Sequence, residues 1–270
     1  MDCPALSRQE RKMSKKNEVA VTETGTSLAR FEDAFAAQAG EGLENVQTKD
    51  LVIPRITILQ ALSPQIQPKK PEYIKGAQAG DICDIGTGEI FEAPLEFLPV
   101  HYVKQWLEWA PRSSGKGLIK VHDTDEILDH CQMNAKNQPH TPEGNLIQET
   151  AQFYGLNLSA GGRRCFLPLS STQLKKARRW LTLAMSERAV RGDGTAYNPP
   201  LFYRIYNLST VEESNPNGDW AGWKIERGLK LSEHSDAAIL FTEAVAFRDT
   251  LKSGKAKSDF AVEGHSSDEM

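Results

Sequence analysis

Fifteen consecutive residues, LEFLPVHYVKQWLEW at positions 95–109, restrict the architecture of this chain more than any other stretch. They are rich in β-branched and aromatic side chains and predict one long strand, bent at Pro99, where the backbone has no donor. One parity carries Leu98, Val100, Tyr102, Lys104 and Trp106, and the other carries Phe97, His101, Val103, Leu107 and Trp109. Neither set is uniformly polar. Such a strand meets a core on one side and has apolar contacts of its own on the other.

The segments around it read mostly as β-structure. LVIPRITIL at 51–59 predicts a strand that starts late or lies at an edge, because Pro54 lacks an N–H. DICDIGTGEIFEAP predicts a hairpin turning through Gly86 and Gly88. AQFYGLNL at 151–158 and RRCFLPL at 163–169 predict two more strands. LFYRIYNLSTVEE at 201–213 and WAGWKIERG at 220–228 form a hairpin around NPNGD. SPQIQPKKPEYIKGAQAGD and residues 111–117 read as loops, and 121–147 as polar loop with at most a short helix near 124–131.

Two helices stand out. The first, TQLKKARRWLTLAMSERA, follows Ser170 or Ser171 as its cap. Leu174, Ala177, Trp180, Leu181, Ala184 and Met185 form its apolar arc, and Lys175, Lys176, Arg178 and Arg179 fill the opposite one. The second, at 233–251, has Ala237, Leu240, Phe241, Ala244, Val245 and Phe247 as its apolar side. Strands grouped ahead of helices favour a mainly β fold, a barrel or sandwich with helical additions, over a parallel βαβ sheet. Residues 1–49 read as a disordered region with a short helix at 28–39 (Leu28, Phe31 and Phe35 on one side), with Met13 as a second start preceded by an extension. Residues 50–232 read as the main domain, 233–251 as a terminal helix and 252–270 as a disordered tail.

The net charge of −4 argues against a general nucleic-acid binder, but its distribution is uneven. Residues 160–232 carry twelve basic against six acidic side chains, a local +6, while 17–50 hold −5 and 51–159 and 233–270 hold −4 each. Such an asymmetry points to a polyanionic partner. No run of eighteen apolar residues exists, so no membrane span is expected. The N-terminus has no apolar central segment of a secretory signal. Four cysteines, at 3, 83, 131 and 165, show no pairing pattern, as in a reducing cytoplasm.

Catalytic motifs are not found. GKG at 115–117 and GDG at 192–194 lack a phosphate-loop frame. His122, His130, Cys131 and His140 have donor atoms suited to zinc, but their spacing is not a zinc frame, and adjacent His130 and Cys131 do not easily reach one ion. Asp123, Asp125, Glu126 and Asp129 read as solvated loop acids, and a metal-dependent nuclease built on them is the least favoured alternative. We therefore expect a non-catalytic protein without metal or cofactor.

What recurs is the mixture of cations and rings that holds a single strand, by phosphate neutralisation and by stacking worth about 1–3 kcal/mol per base. It occurs at Tyr102, Lys104, Trp106 and Arg112, and at Arg163, Arg164 and Phe166 leading into Lys175, Lys176, Arg178 and Arg179. A third instance is Phe202, Arg204 and Tyr206, which share one strand face by parity, with Trp220, Trp223 and Lys224 on the neighbouring strand. The ordinary alternative is that strand rings fill a core and the basic face is only solvated. Trp180 is expected to pack inward.

IPRITILQALSPQ at 53–65, KPEYIKGAQAGDICDIGTGEIF at 70–91 and PVHYVKQWLEWAPRSSGKG at 99–117 resemble a group of bacteriophage early-region proteins. So do FLPLSSTQLKKARRW and the Asn215, Gly218, Trp220 turn. That group is usually regarded as single-stranded-DNA-binding proteins of the replication and recombination module. The resemblance covers about 50–232. It implies an OB-like β-barrel, DNA binding without strong sequence preference, self-association, and an acidic tail that contacts replication or recombination proteins. Here the tail ends SSDEM behind Lys252, Lys255 and Lys257, a departure from the acidic pattern. A strand-annealing recombination mediator and a protein-interaction factor acting on a host enzyme are the other expectations.

Overall fold

The protein is described by a computed structural model that covers residues 31–45 (except 32, 40 and 43), 52–216, 218–254 and 257–258. The expected disorder at the two chain ends, and Leu28, lie outside these residues. The chain divides into two compact units, residues 1–47 and 48–270. In the first, the described residues between 31 and 37 are helical, and Phe31 and Phe35 are exposed.

The second unit is mainly β. Its strands are β1 (Val52–Ile53), β2 (Ile56–Ile58), β3 (Ile82–Asp84), β4 (Ile90–Phe91), β5 (Leu95–Trp109), β6 (Leu118–His122), β7 (Gln132–Met133) and β8 (Pro139–His140). They continue with β9 (Leu146–Asn157), β10 (Arg163–Ser170), β11 (Ala189–Val190), β12 (Ala196–Tyr197), β13 (Arg204–Asn215), β14 (Gly218–Lys230) and β15 (Lys257–Ser258). A basic helix, Leu174–Met185, and a terminal helix, Ala237–Lys252, complete the unit. Six antiparallel strands follow the path β14-β13-β5-β9-β8-β7, with β10 also paired to β9 and β6 to β5. The sheet is strongly curled, a half-barrel with helices added.

The long strand is present over its whole expected length, and its bend is a bulge. Pro99 pairs with Gly155 and His101 with Tyr154, so Val100 is an extra residue. The insertion exchanges the two faces. Leu95 and Phe97 enter one core together with Tyr102, whereas Leu98, Val100, Val103, Leu107 and Trp109 enter the other. The single parity set from Leu98 to Trp106 is therefore divided, because a one-residue bulge reverses alternation. Gly155 is required beside this bulge: a Cβ there would lie 2.5 Å from the Phe97 ring.

The two cores have different covers. The basic helix lays Ala177 and Trp180 against Phe97, Ala151, Phe153, Cys165, Leu167 and Tyr206. Trp180 stacks on Phe153 with centroids 4.0 Å apart and meets Phe97 and Tyr206 edge-on. The terminal helix places Leu240, Ala244 and Phe247 against Leu98, Val100, Tyr154, Leu156 and Phe166. Three details of the helices differ from expectation. Ser170 and Ser171 make no side-chain cap, since a 3-10 turn, Ser171–Gln173, leads straight into the basic helix. Met185 is 74% exposed rather than apolar-packed, because it closes the last turn beyond the sheet, and Phe241 is exposed on the terminal helix. That helix begins at Ala237, not 233, after a 3-10 turn at Leu231–Glu233.

A strap closes the remaining gap of the half-barrel. At one end Phe166 N–H donates to the Pro54 carbonyl at 3.0 Å. At the other, the Gln60 side-chain amide imitates a strand, donating to Ala221 O at 2.9 Å and accepting from Ala221 N–H at 3.1 Å. Residues 54–60 thereby link β10 to β14 where no ladder joins them among the described residues. Pro54 interrupts the strand at its start, as its missing donor implies.

Candidate nucleic-acid interface

The basic helix is electrostatically unusual. Lys175, Lys176, Arg178 and Arg179 occupy its first six residues, and its first turn has no acidic residue. The positive end of the helix dipole disfavours cations there by about 0.3–1 kcal/mol each at an exposed site. Helix stability therefore does not account for this cluster.

Lys176 is the structural member. Its ammonium lies 2.8 Å from Glu213 and donates to the Trp223 carbonyl. Glu213 also accepts from Gln173 Nε2 at 3.1 Å and from Trp220 Nε1 at 2.9 Å. Burial pushes the Glu213 carboxyl up, but the hydrogen bonds from Lys176, Gln173 and Trp220 outweigh it and hold the group below its ordinary value. Gln173 Oε1 accepts from Trp223 N–H at 3.0 Å, so the helix start is pinned to the outer edge of β14.

Lys175, Arg178 and Arg179 stay exposed, and Lys175 and Arg179 form no ion pair among the described residues. Arg178, 70% exposed, reaches over β9 to within 3.7 Å of Glu149 Oε1. The same oxygen lies 3.5 Å from Lys104 Nζ on β5, and Lys104 sits 5.0 Å from the Trp106 ring centroid. Tyr102 packs on Phe153, and burial raises its hydroxyl pKa, with Glu149 adding to the rise and Arg178 opposing it. On the other flank, Lys176, Arg179, Trp223, Lys224 and Glu226 line a cavity of about 230 Å³. Lys224 is held 2.8 Å from Glu226. Lys104, Arg178, Lys175, Arg179 and Lys224 thus form one cationic strip across the helix, with Glu149 and Glu226 as its paired acids.

Three of the other expected cations do not join it. Arg163 is bound to Glu89 at 2.7 Å and lies 3.6 Å from Asp84, fastening β10 to the β3–β4 hairpin. Arg164 pairs with Glu243 at 2.6 Å and covers the Phe247 ring, on the face of the terminal helix. Arg204 is held by Glu187 at 2.8 Å and donates to the Gly228 carbonyl. Arg112 begins the turn Arg112–Ser114, and its side chain lies outside the described ones.

The rings need a correction. Phe202 and Tyr206 do not share a strand face. Phe202 lies in the 3-10 turn before β13 and packs edge-on against Phe241, while Tyr206 is sealed under Trp180 in the other core. A register shift between Arg204 and Tyr206 separates them. Neither has an accessible face for a base. Trp106 is 8% exposed, with the Lys104 ammonium over its ring, and Phe166 and Trp223 are buried. Sequence reasoning missed the carboxylates that steer the cations, Glu149 and Glu213. Their partners lie on other elements, brought together by the docking of the helix and, for Lys104, by the β5–β9 register.

The donors weighed for zinc and set aside on their spacing stand on separate short elements: His122 ends β6, His130 and Cys131 lie at the end of a 3-10 turn, and His140 ends β8. His122 Nε2 is 2.8 Å from Glu108, whose other oxygen accepts from Asn145 at 2.7 Å. Among the described residues no three His, Cys, Asp or Glu side chains gather in a way that holds an ion. No described helix is long and apolar enough to cross a membrane.

Fold and surface together define a curled antiparallel β-protein whose inner core is plugged by a helix with a one-signed outer face. The chain belongs to the Pam3 phage gp34-like protein family, whose model matches residues 21–257. It is thus a bacteriophage-family protein. No curated protein and no solved structure matches it.

Proposed function

We propose that this protein binds single-stranded DNA without strong sequence preference during phage replication or recombination, in the cytoplasm of the infected host. The observation that carries this reading is the cationic strip: three unpaired or loosely paired cations on a helix start, flanked by Lys104 and Lys224 from two strands. Five cations against two acids leave a local surplus that a phosphate backbone neutralises with release of counterions. With Phe202 and Tyr206 in the cores, binding is dominated by phosphate contacts and has only a small stacking component, at Trp106 and Tyr102. The half-barrel, completed by the strap, is read as an OB-like barrel opened at one seam. Self-association and recruitment of replication proteins through the tail remain part of this proposal, and the tail lies outside the described residues.

The test is fluorescence anisotropy with a labelled oligonucleotide across a salt series. Replacing Lys175, Arg178 and Arg179 by Gln is expected to weaken all sequences alike and to flatten the salt slope by about 0.7 for each phosphate of the single strand that is no longer neutralised. Absence of binding at low salt refutes the reading. It would favour the helix as a docking face for an acidic host protein instead.

A further inference from the structure

The two flanks of the cationic strip are not equivalent. On the Lys224 side the pairing is a tight contact of 2.8 Å between neighbours on one strand. On the other side a single carboxylate oxygen, Glu149 Oε1, stands between cations from two separate elements, Lys104 of β5 at 3.5 Å and Arg178 of the helix at 3.7 Å. Charge-assisted hydrogen bonds close to about 2.7–2.9 Å. Both contacts fall well short of that, although all three side chains reach solvent, with Lys104 44% exposed. Glu149 is anchored on β9 opposite Trp106 and offers one oxygen to two donors that each have room for a nearer acceptor.

We propose that Lys104 and Arg178 form a phosphate subsite that Glu149 occupies in the free protein, so that Glu149 sets the affinity of the strip for a polyanion. A phosphodiester has two non-bridging oxygens, one for the ammonium and one for the guanidinium, and so serves both at full hydrogen-bond distance. Glu149 serves both with one oxygen at neither. The incoming phosphate displaces Glu149 toward solvent, where its charge is rehydrated. Trp106, 8% exposed beneath the Lys104 ammonium, lies beside this subsite. This deepens the DNA-binding reading and rests on it, while making a prediction of opposite sign: removing a residue of the site improves binding.

The experiment uses the full chain and a labelled oligodeoxythymidylate, followed by anisotropy over a salt series. Three proteins are compared: wild type, Glu149→Gln, and Glu92→Gln as a control of equal charge change at an exposed position away from the strip. Thermal melts confirm that each is folded. Glu149→Gln is expected to tighten binding about threefold to tenfold at low salt and to steepen the salt slope, with Glu92→Gln changing it far less. The gain should vanish in a Lys104→Gln, Arg178→Gln background. If the wild type binds and Glu149→Gln behaves like the Glu92 control or worse, the subsite is refuted and the DNA-binding reading survives. If wild type is silent but Glu149→Gln binds, the subsite is supported in a protein whose strip is held closed. If no variant binds, both readings fall.

Discussion

At the scale of the residue, position matters more than type. Trp180 and Trp106 are both buried, yet one stacks on Phe153 as the plug of a core and the other lies beneath the ammonium of a lysine. Trp180→Ala and Tyr206→Ala are each expected to cost about 3–5 kcal/mol, read as a shift in the urea midpoint. Trp106→Ala should cost less stability and weaken oligonucleotide binding in the folded protein. Retained stability in Tyr206→Ala would show that its ring is not a core member. The inward place of Trp180 was legible from helical periodicity alone, since it falls within the apolar arc. Tyr206 was not legible, because the irregularity between Arg204 and Tyr206 that sends Phe202 and Tyr206 into different cores leaves no mark in composition.

At the scale of the element, the best-read parts were those with strong local signals: the long strand, the hairpin through Gly86 and Gly88, the β13–β14 hairpin and both helices. β7 and β8 were hidden in the stretch 121–147 read as polar loop, and β6 runs into its start. β6, β7 and β8 have five, two and two residues, and their existence depends on pairing with β5 and β9. The strip was half legible. Its helix could be seen, but the meeting of Arg178 with Lys104 follows from the β5–β9 register. The junction of helix and hairpin supplies a pH test. The folded value of Glu213 lies below the ordinary carboxylate value it has when unfolded. Its contribution is therefore complete above that ordinary value and is lost as pH falls through the folded one. Acid denaturation followed by tryptophan fluorescence should show this loss on the acid side of the ordinary glutamate range in wild type. Glu213→Gln should be less stable at neutral pH and show a smaller acid-induced drop; an unchanged profile would remove Glu213 from this role.

At the scale of the molecule, the two cores share one curled sheet but answer to different helices, so damage to one face need not disable the other. The strap is the exception, since it ties β10 to β14 across the seam. Gln60→Ala leaves the Ala221 N–H and C=O without their present partner and is expected to lower stability by about 1–3 kcal/mol, measurable by chemical denaturation. Hydrogen exchange should then quicken at Ala221 ahead of β5 and β9. Exchange that stays unchanged at Ala221 would show that the amide contact adds no protection. No local sequence signal marks this seam: Gln60 and Ala221 are 161 positions apart.

The same glutamine has a consequence for assembly. Backbone groups at Ala221 and Trp223 are already occupied by Gln60, Gln173 and Lys176. A second protomer seeking to extend the sheet beside Ala221 and Trp223 would find those two docking points taken, so edge-to-edge growth is hindered at this part of the rim.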